Sequence, residues 1–312
     1  MDSPTKRLKA LLLSAGVMLA SVFAVVGCAA RGTAAGAGAA PTTAPAAVPA
    51  ATPAGPPVAP GEAKGAAAGA EVSAGVAPVA ALPEWPQWRG PNRDGAVVGA
   101  AAPAVWPKEL KVRWRMTVGT GHSSPVVADG RVYQFARQGE EEVLIALDAA
   151  TGKELWKTPG LAVAYEMNPA ARGHGKGPKS TPVVAGGRVF TLGITGVLPA
   201  HDAKTGKLIW RKDFSKQYPS TSPLYGTAMS PVVVGDLLVA HVGGHDRGAL
   251  TAFDAATGAV KWTYDADGPA YSSPVVVNVG GERQLVTFTQ KELVAVSPAN
   301  GKLLWKLPAR HH

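Results

Sequence analysis

"DAATGKELW" occupies residues 148–156, and close copies stand at 202–210 ("DAKTGKLIW") and 254–262 ("DAATGAVKW"), with a weaker one, "SPANGKLLW", at 297–305. In each copy a tryptophan follows a turn glycine by four residues: Gly152 and Trp156, Gly206 and Trp210, Gly258 and Trp262, Gly301 and Trp305. A Thr-Gly or Asn-Gly step between apolar runs marks a tight turn joining two strands. The tryptophans recur at intervals of 54, 52 and 43 residues. Periods of this size with several short strands per unit indicate propeller blades.

The rest of each unit agrees. Every unit opens on Ser/Thr-Pro-Val-Val: "SSPVV" at 123–127, "STPVV" at 180–184, "MSPVV" at 229–233 and "SSPVV" at 272–276. A proline gives up a backbone N–H harmlessly at the head of a strand. A turn pair follows, then a β-rich run such as "RVYQFA", then an apolar run such as "EVLIALD" that leads into the Asp-Ala-x-Thr-Gly turn. No 3.6-residue apolar period of useful length appears after the N-terminal segment, so the chain reads as all-β, with four four-stranded blades. A lone blade cannot bury both faces, so blades must stack, and each tryptophan is expected to act as a wedge between neighbours. The segment "KVRWRMTVG" at 111–119 reads as an orphan closing strand, with Trp114 in the tryptophan position and no strands of its own before it. Four blades plus one orphan strand predict an incomplete or open ring, or one completed by another chain.

Outside the repeats the chain changes character. Residues 1–27 carry Lys6, Arg7 and Lys9 ahead of the apolar run "ALLLSAGVMLASVFAVVG", the layout of a secretory signal. The run ends in Val25-Val26-Gly27-Cys28, which resembles a bacterial lipobox, so Cys28 is the expected lipidated N-terminus of the mature protein. Cys28 is the only cysteine, which leaves no thiol for a disulfide, an iron–sulfur cluster or a zinc ribbon. Residues 29–83 are Ala, Pro, Gly and Thr with almost no charge and no aromatic ring. Such a composition cannot offset its ordering entropy and reads, with Cys28, as a disordered tether over 28–83, with a mean span on the order of 40 Å. A lead-in segment follows over 84–122, and the repeats run over 123–312. The formal charge of +9 is scattered over turns and strand ends rather than gathered into a stripe with interleaved aromatics. That pattern argues against nucleic acid as a partner.

The motif Ala-x-(Thr/Asn)-Gly-(x)3-Trp closing each unit resembles the quinoprotein-like propellers. These include the pyrroloquinoline-quinone (PQQ) alcohol dehydrogenases and the outer-membrane assembly factor BamB, which has the fold without the cofactor. The lead-in "WPQWRGPNRDG" at 85–95 is similar to the opening of bacterial PQQ-like repeat proteins. The resemblance implies an envelope protein anchored by its lipid on the periplasmic side of the outer membrane, acting as a scaffold for a protein or peptide partner. The other activity it implies is PQQ-dependent alcohol oxidation. Many such dehydrogenases carry an adjacent cysteine pair and a Ca²⁺ held by carboxylates. This chain has no cysteine pair, and Asp148, Asp202 and Asp254 recur in the structural turn. We therefore expect no catalytic residue, no metal and no bound PQQ or Ca²⁺.

Other polar motifs are weak. "RGHGKGPKS" at 172–180 lacks the contiguous Gly-Lys-Ser/Thr of a phosphate loop, and His241 and His245 span a Gly-Gly pair rather than one helical face. The longest connections between units, 157–179, 211–228 and 263–271, carry Tyr165, Arg172, His174, Lys176, Lys179, Tyr218, Tyr225, Tyr264 and Tyr271. Tyrosines interleaved with basic residues on exposed connections suit a protein or peptide partner.

Overall fold

The computed structural model describes residues 84–97, 104–217, 225–244 and 247–309. Cys28, Tyr218 and His245 lie outside them. Among the described residues no helix is long and apolar enough to cross a membrane.

Among the described residues, seventeen strands form four antiparallel sheets in chain order. The first blade holds β1 (Val126–Ala128), β2 (Arg131–Gln138), β3 (Glu141–Asp148) and β4 (Glu154–Lys157), with the short β5 (Leu161–Ala162) paired back onto β3. The second holds β6 (Val183–Ala185), β7 (Arg188–Phe190), β8 (Val197–Asp202) and β9 (Leu208–Asp213). The third holds β10 (Val232–Val234), β11 (Leu237–Gly244), β12 (Arg247–Asp254) and β13 (Val260–Ala266). The fourth holds β14 (Val275–Val279), β15 (Glu282–Phe288), β16 (Glu292–Val296) and β17 (Leu303–Pro308). The four sheets do not close into a ring.

Burial explains the two kinds of strand in each unit. The third strand is buried on both faces, β3 by the second blade on one side and the lead-in on the other, so it reads as a continuous apolar run; β3 buries six of its eight residues in a row. The fourth strand lies on a sheet edge, and β4 and β9 expose most of their residues except Trp156 and Trp210. Apolar clusters fill the seams. Tyr133 and Leu144 of the first blade meet Val184 and Val189 of the second. Phe190 and Leu198 meet Leu238 and Phe253 of the third, and Val239 and Leu250 meet Leu285 and Val296 of the fourth.

The repeated turn has one construction in the first three blades. The Oδ1 atom of Asp148 accepts from the N–H of Thr151 at 2.8 Å and from its hydroxyl at 2.7 Å. Asp202 does the same for Thr205 and Asp254 for Thr257. The turn glycines sit at φ 71–73°, which a side chain rarely adopts. A β-bulge follows in every blade, placing Trp156, Trp210, Trp262 and Trp305 opposite Ala146, Ala200, Ala252 and Ala295. The first three rings then lie on the turn glycine of the next blade: a Cβ on Gly206 would stand 2.6 Å from the Trp156 ring, and Gly258 meets Trp210 and Gly301 meets Trp262 in the same way. The indole N–H groups complete the contact, Trp156 donating to the Ala203 carbonyl at 3.2 Å, Trp210 to Ala255 at 3.1 Å and Trp262 to Pro298 at 3.0 Å. Trp305 donates instead to Gln284 of its own blade at 2.8 Å.

The segment expected over 111–119 as an orphan strand stays unpaired and forms no ladder. Its tryptophan nonetheless takes the repeat position: Trp114 lies on Gly152, donates to the Ala149 carbonyl at 3.0 Å, and with Val118 covers Val143, Ile145 and Leu147 on the free face of the first blade. The lead-in runs past the first strands of successive blades. Trp85 bridges Val127, Pro86 accepts from Val184, and the buried Arg93 guanidinium donates to the Ser230 and Pro231 carbonyls at 3.0 Å each.

Candidate functional site

The connections between blades are positioned by the hydroxyl before each repeated proline. The N–H of Ser124 donates to Thr181 Oγ1 at 3.2 Å, that of Thr181 to Ser230 Oγ at 2.9 Å, and that of Ser230 to Ser273 Oγ at 2.8 Å. One blade's head therefore holds the next by a side-chain-to-backbone bond. The residue before a proline is biased to extended backbone, which leaves its N–H free for this use. The role of the proline is legible in the sequence and that of the hydroxyl is not, although Ser or Thr stands there in every unit.

Upstream of these heads, rings from successive connections meet at tilted and edge-on angles. His122 faces His174 at 6.0 Å between ring centroids, His174 faces Tyr225 at 4.7 Å, and Tyr225 meets Tyr271 edge-on at 5.6 Å. The backbone is tied in as well. His122 Nε2 lies 2.9 Å from the His174 carbonyl, and the Tyr271 hydroxyl accepts from the Tyr225 N–H at 3.1 Å. His122 and His174 are exposed, Tyr225 is half-buried and Tyr271 is 46% exposed. The result is a ring-lined strip that crosses three blade connections with donors and acceptors at its edge. Burial raises the hydroxyl pKa of Tyr165 and Tyr271, and Tyr271 adds to the rise at Tyr165, so both hydroxyls stay neutral.

The structure gathers some expected residues and disperses others. His174, Tyr225 and Tyr271 come together, with Tyr165 buried beneath the strip against Val163 and Ile194. His122 was not anticipated; only its place next to the Ser-Ser-Pro head signals it. Lys179 reaches the Gly175 carbonyl at 3.3 Å, with its pKa lowered by burial. Lys176 lies 3.8 Å from Glu140, which also pairs with Arg137 at 2.7 Å. Arg172 is exposed in a 3-10 turn, Pro169–His174, whose start is capped by Asn168. Tyr264 is not on a connection. It lies inside β13 and packs against the third- and fourth-blade core, because the strand continues four residues beyond the expected boundary.

The other polar motifs resolve structurally. The Gly-rich 172–180 segment is fastened, its Pro178 carbonyl accepting from His122 and Ser123. His241 is fully buried with Nε2 at 3.1 Å from the Asp267 carbonyl, and burial lowers its pKa to about 4. Asp148, Asp202 and Asp254 keep carboxylates below their ordinary range through the turn threonines. Among the described residues no group of three or more His, Cys, Asp and Glu is placed to hold a metal ion.

Comparison with known proteins matches this architecture. The family described as outer membrane protein assembly factor BamB matches residues 104–161 and 139–311. BamB of Yersinia pestis is 27% identical over 209 residues, covering 62% of this chain and 47% of that protein. The dehydrogenase subunit of the quinone alcohol dehydrogenase of Acetobacter aceti is 35% identical over 173 residues, 50% of this chain and 21% of that one. Among solved structures, the quinohemoprotein alcohol dehydrogenase of Comamonas testosteroni aligns with a TM-score of 0.49 at 20% identity, over 72% of this chain and 41% of its own. BamB of Moraxella catarrhalis aligns with a TM-score of 0.41 at 17% identity, over 66% and 55%. This chain spans from about a fifth to about half of the length of these curated relatives. With the family pattern running through all four blades, the chain belongs to the BamB family of propeller-repeat proteins.

Proposed function

We propose that this chain is an envelope binding protein, anchored through a lipid on Cys28 and held off the outer membrane by its 29–83 tether, that docks a protein or peptide partner as a scaffold of the assembly-factor type. The observation that carries the reading is the strip His122–His174–Tyr225–Tyr271. Aromatic and imidazole rings at the surface, already packed against one another and tied to backbone, lose little entropy on binding and offer both apolar area and hydrogen bonds. The neighbouring Arg172, Lys176 and Lys179 favour a partner surface with acidic groups.

The test is photocrosslinking in intact envelopes, with a crosslinking residue replacing Arg172 at the edge of the strip. One dominant adduct that disappears in a Tyr225→Ala, Tyr271→Ala background supports the reading. Undiminished adduct in that background, or none at all, sinks it. The anchor is tested separately: Cys28→Ala should move the protein from the membrane to the soluble fraction, and unmodified wild-type protein in the soluble fraction would contradict lipidation.

A second reading is favoured by the 35% identity to a quinone-dependent dehydrogenase subunit. PQQ with Ca²⁺ would need free carboxylates, whereas Asp148, Asp202 and Asp254 are each engaged by a turn threonine. Those turn carboxylates do not fit that group, and among the described residues no cluster of three or more His, Cys, Asp and Glu is placed to hold its metal. Quinone absorbance and dye-linked alcohol oxidation after adding PQQ and Ca²⁺ would reverse this judgement.

A further inference from the structure

A cleft of about 180 Å³ opens between the first and second blades. Its mouth is exposed and formed by Pro159, Leu208 and Arg211, and its floor includes Glu142, Thr191 and His201. All three floor residues are at least nine-tenths buried, and each has one polar atom with no partner in the protein: Glu142 Oε2, Thr191 Oγ1 and His201 Nδ1. Ten such atoms occur among the described residues, so three in one cleft is a concentration rather than scatter. Buried polar groups are almost always hydrogen-bonded, and a cluster that is not points to an external partner.

These residues also break the repeat. Counted back from the turn, the position of Glu142 is Gly196 in the second blade and Gly248 in the third. His201 stands where the other blades have Leu147, Phe253 and Val296. A residue serving the blade architecture recurs in each unit, and these do not. Glu142 is held in place by its other oxygen, which accepts from the Ile194 N–H of the second blade at 2.9 Å. Gly193 makes room for it, since a Cβ there would collide with Oε2.

We propose that this cleft binds a compact neutral molecule with an apolar body and a head that both donates and accepts hydrogen bonds, a primary carboxamide being the closest match. The three floor groups can each donate or accept according to protonation, tautomer or rotor, and a carboxamide offers two donors and a carbonyl acceptor to them. Burial sets their charge: it raises the Glu142 carboxyl to about 7 and lowers His201 to about 4, so the imidazole is neutral at physiological pH. An anionic head would meet Glu142 as it ionises. A cationic head would pass Arg211 at the mouth and lose its hydration. Phe135, Leu144 and Val197 line the walls and take the apolar body. A cavity of about 150 Å³ accommodates benzene, so this one has room for a six-membered ring with a small head.

The experiment titrates the full chain with benzamide, benzoate and benzylamine, which share a ring and differ in charge, following backbone amides by NMR. At about pH 5.5, where Glu142 keeps its proton, benzamide is expected to give saturable shifts at Thr191 and Ile194, with both charged analogues at least about tenfold weaker because an unpaired charge would be buried. Thr191→Val should weaken benzamide about fivefold, the worth of one hydrogen bond. The same variant should melt no lower than wild type, since it deletes an unpartnered hydroxyl, and this shows that it folds. Absence of saturable shifts, which would leave ordered water as the occupant, overturns the proposal. So does equal binding of a charged analogue, or unchanged benzamide affinity in Thr191→Val.

Discussion

The interface between the first and second blades contains two unlike regions. At the turn, Trp156 lies on Gly206 and its N–H is satisfied by Ala203, a carbonyl that also accepts from Tyr133 and Arg131. At the cleft, Glu142 shares the same pair of sheets yet leaves a carboxylate oxygen unpartnered. The first arrangement recurs at each described seam; the second occurs at this one. Repetition marks what the blades need in order to stack, and departure from it marks what this chain adds.

The largest expected effect tests the seam. Trp210→Ala should cost about 3 kcal/mol, from lost ring contacts and the space left over Gly258. Trp305, which touches no turn glycine of a following blade among the described residues, should cost about 1 kcal/mol when replaced by alanine. Denaturant titration of both variants settles the matter, and equal losses would mean that the glycine contact contributes nothing.

Next comes the cleft. The folded-state pKa of Glu142 is raised from 4.5 to about 7, so the folded protein holds a proton that the unfolded chain releases. Stability therefore falls as pH rises from about 4.5 to about 7, by about 3 kcal/mol in total. Glu142→Gln should remove that slope while keeping an acceptor for Ile194. A variant with the wild-type pH profile would show that the carboxyl is not buried as described.

Smaller effects belong to the repeated polar contacts. Thr181→Val removes the acceptor for the Ser124 N–H and should cost about 1 kcal/mol, read as a lower denaturation midpoint. The turn carboxylates have the opposite sign to Glu142. The pKa of Asp202 is lowered by Thr205, so its contribution is present above the ordinary carboxylate range and disappears as pH falls through the depressed value. Asp202→Asn should flatten only this acid limb, and by less than any change above, because the group is exposed. A slope change near neutrality instead would merge the two regions that the comparison separates.

Much of the fold was legible because its signals are local. Asp, Thr and Gly of the turn lie within five residues, and the tryptophan lies four beyond the glycine, so one short word specifies a turn, a bulge and an edge strand. The strip of rings was legible in part: His174, Tyr225 and Tyr271 were expected on the connections, but their contact depends on how closely successive blades approach. His122 went unnoticed for the same reason. So did Arg93, whose partners Ser230 and Pro231 are more than 130 residues away.

The amino-acid sequence by itself determined that this is a four-blade β-repeat protein, where each blade turns, and which ring covers which face, since hydrogen-bonding and side-chain alternation are properties of neighbours along the chain. Only the tertiary structure decided that Trp114 works without a strand beneath it, that hydroxyls before the prolines link one blade to the next, and that Glu142, Thr191 and His201 share a floor. The physical reason is that burial and desolvation are set by residues roughly fifty positions apart brought face to face. The cost or use of a buried carboxyl does not exist until the second blade covers it.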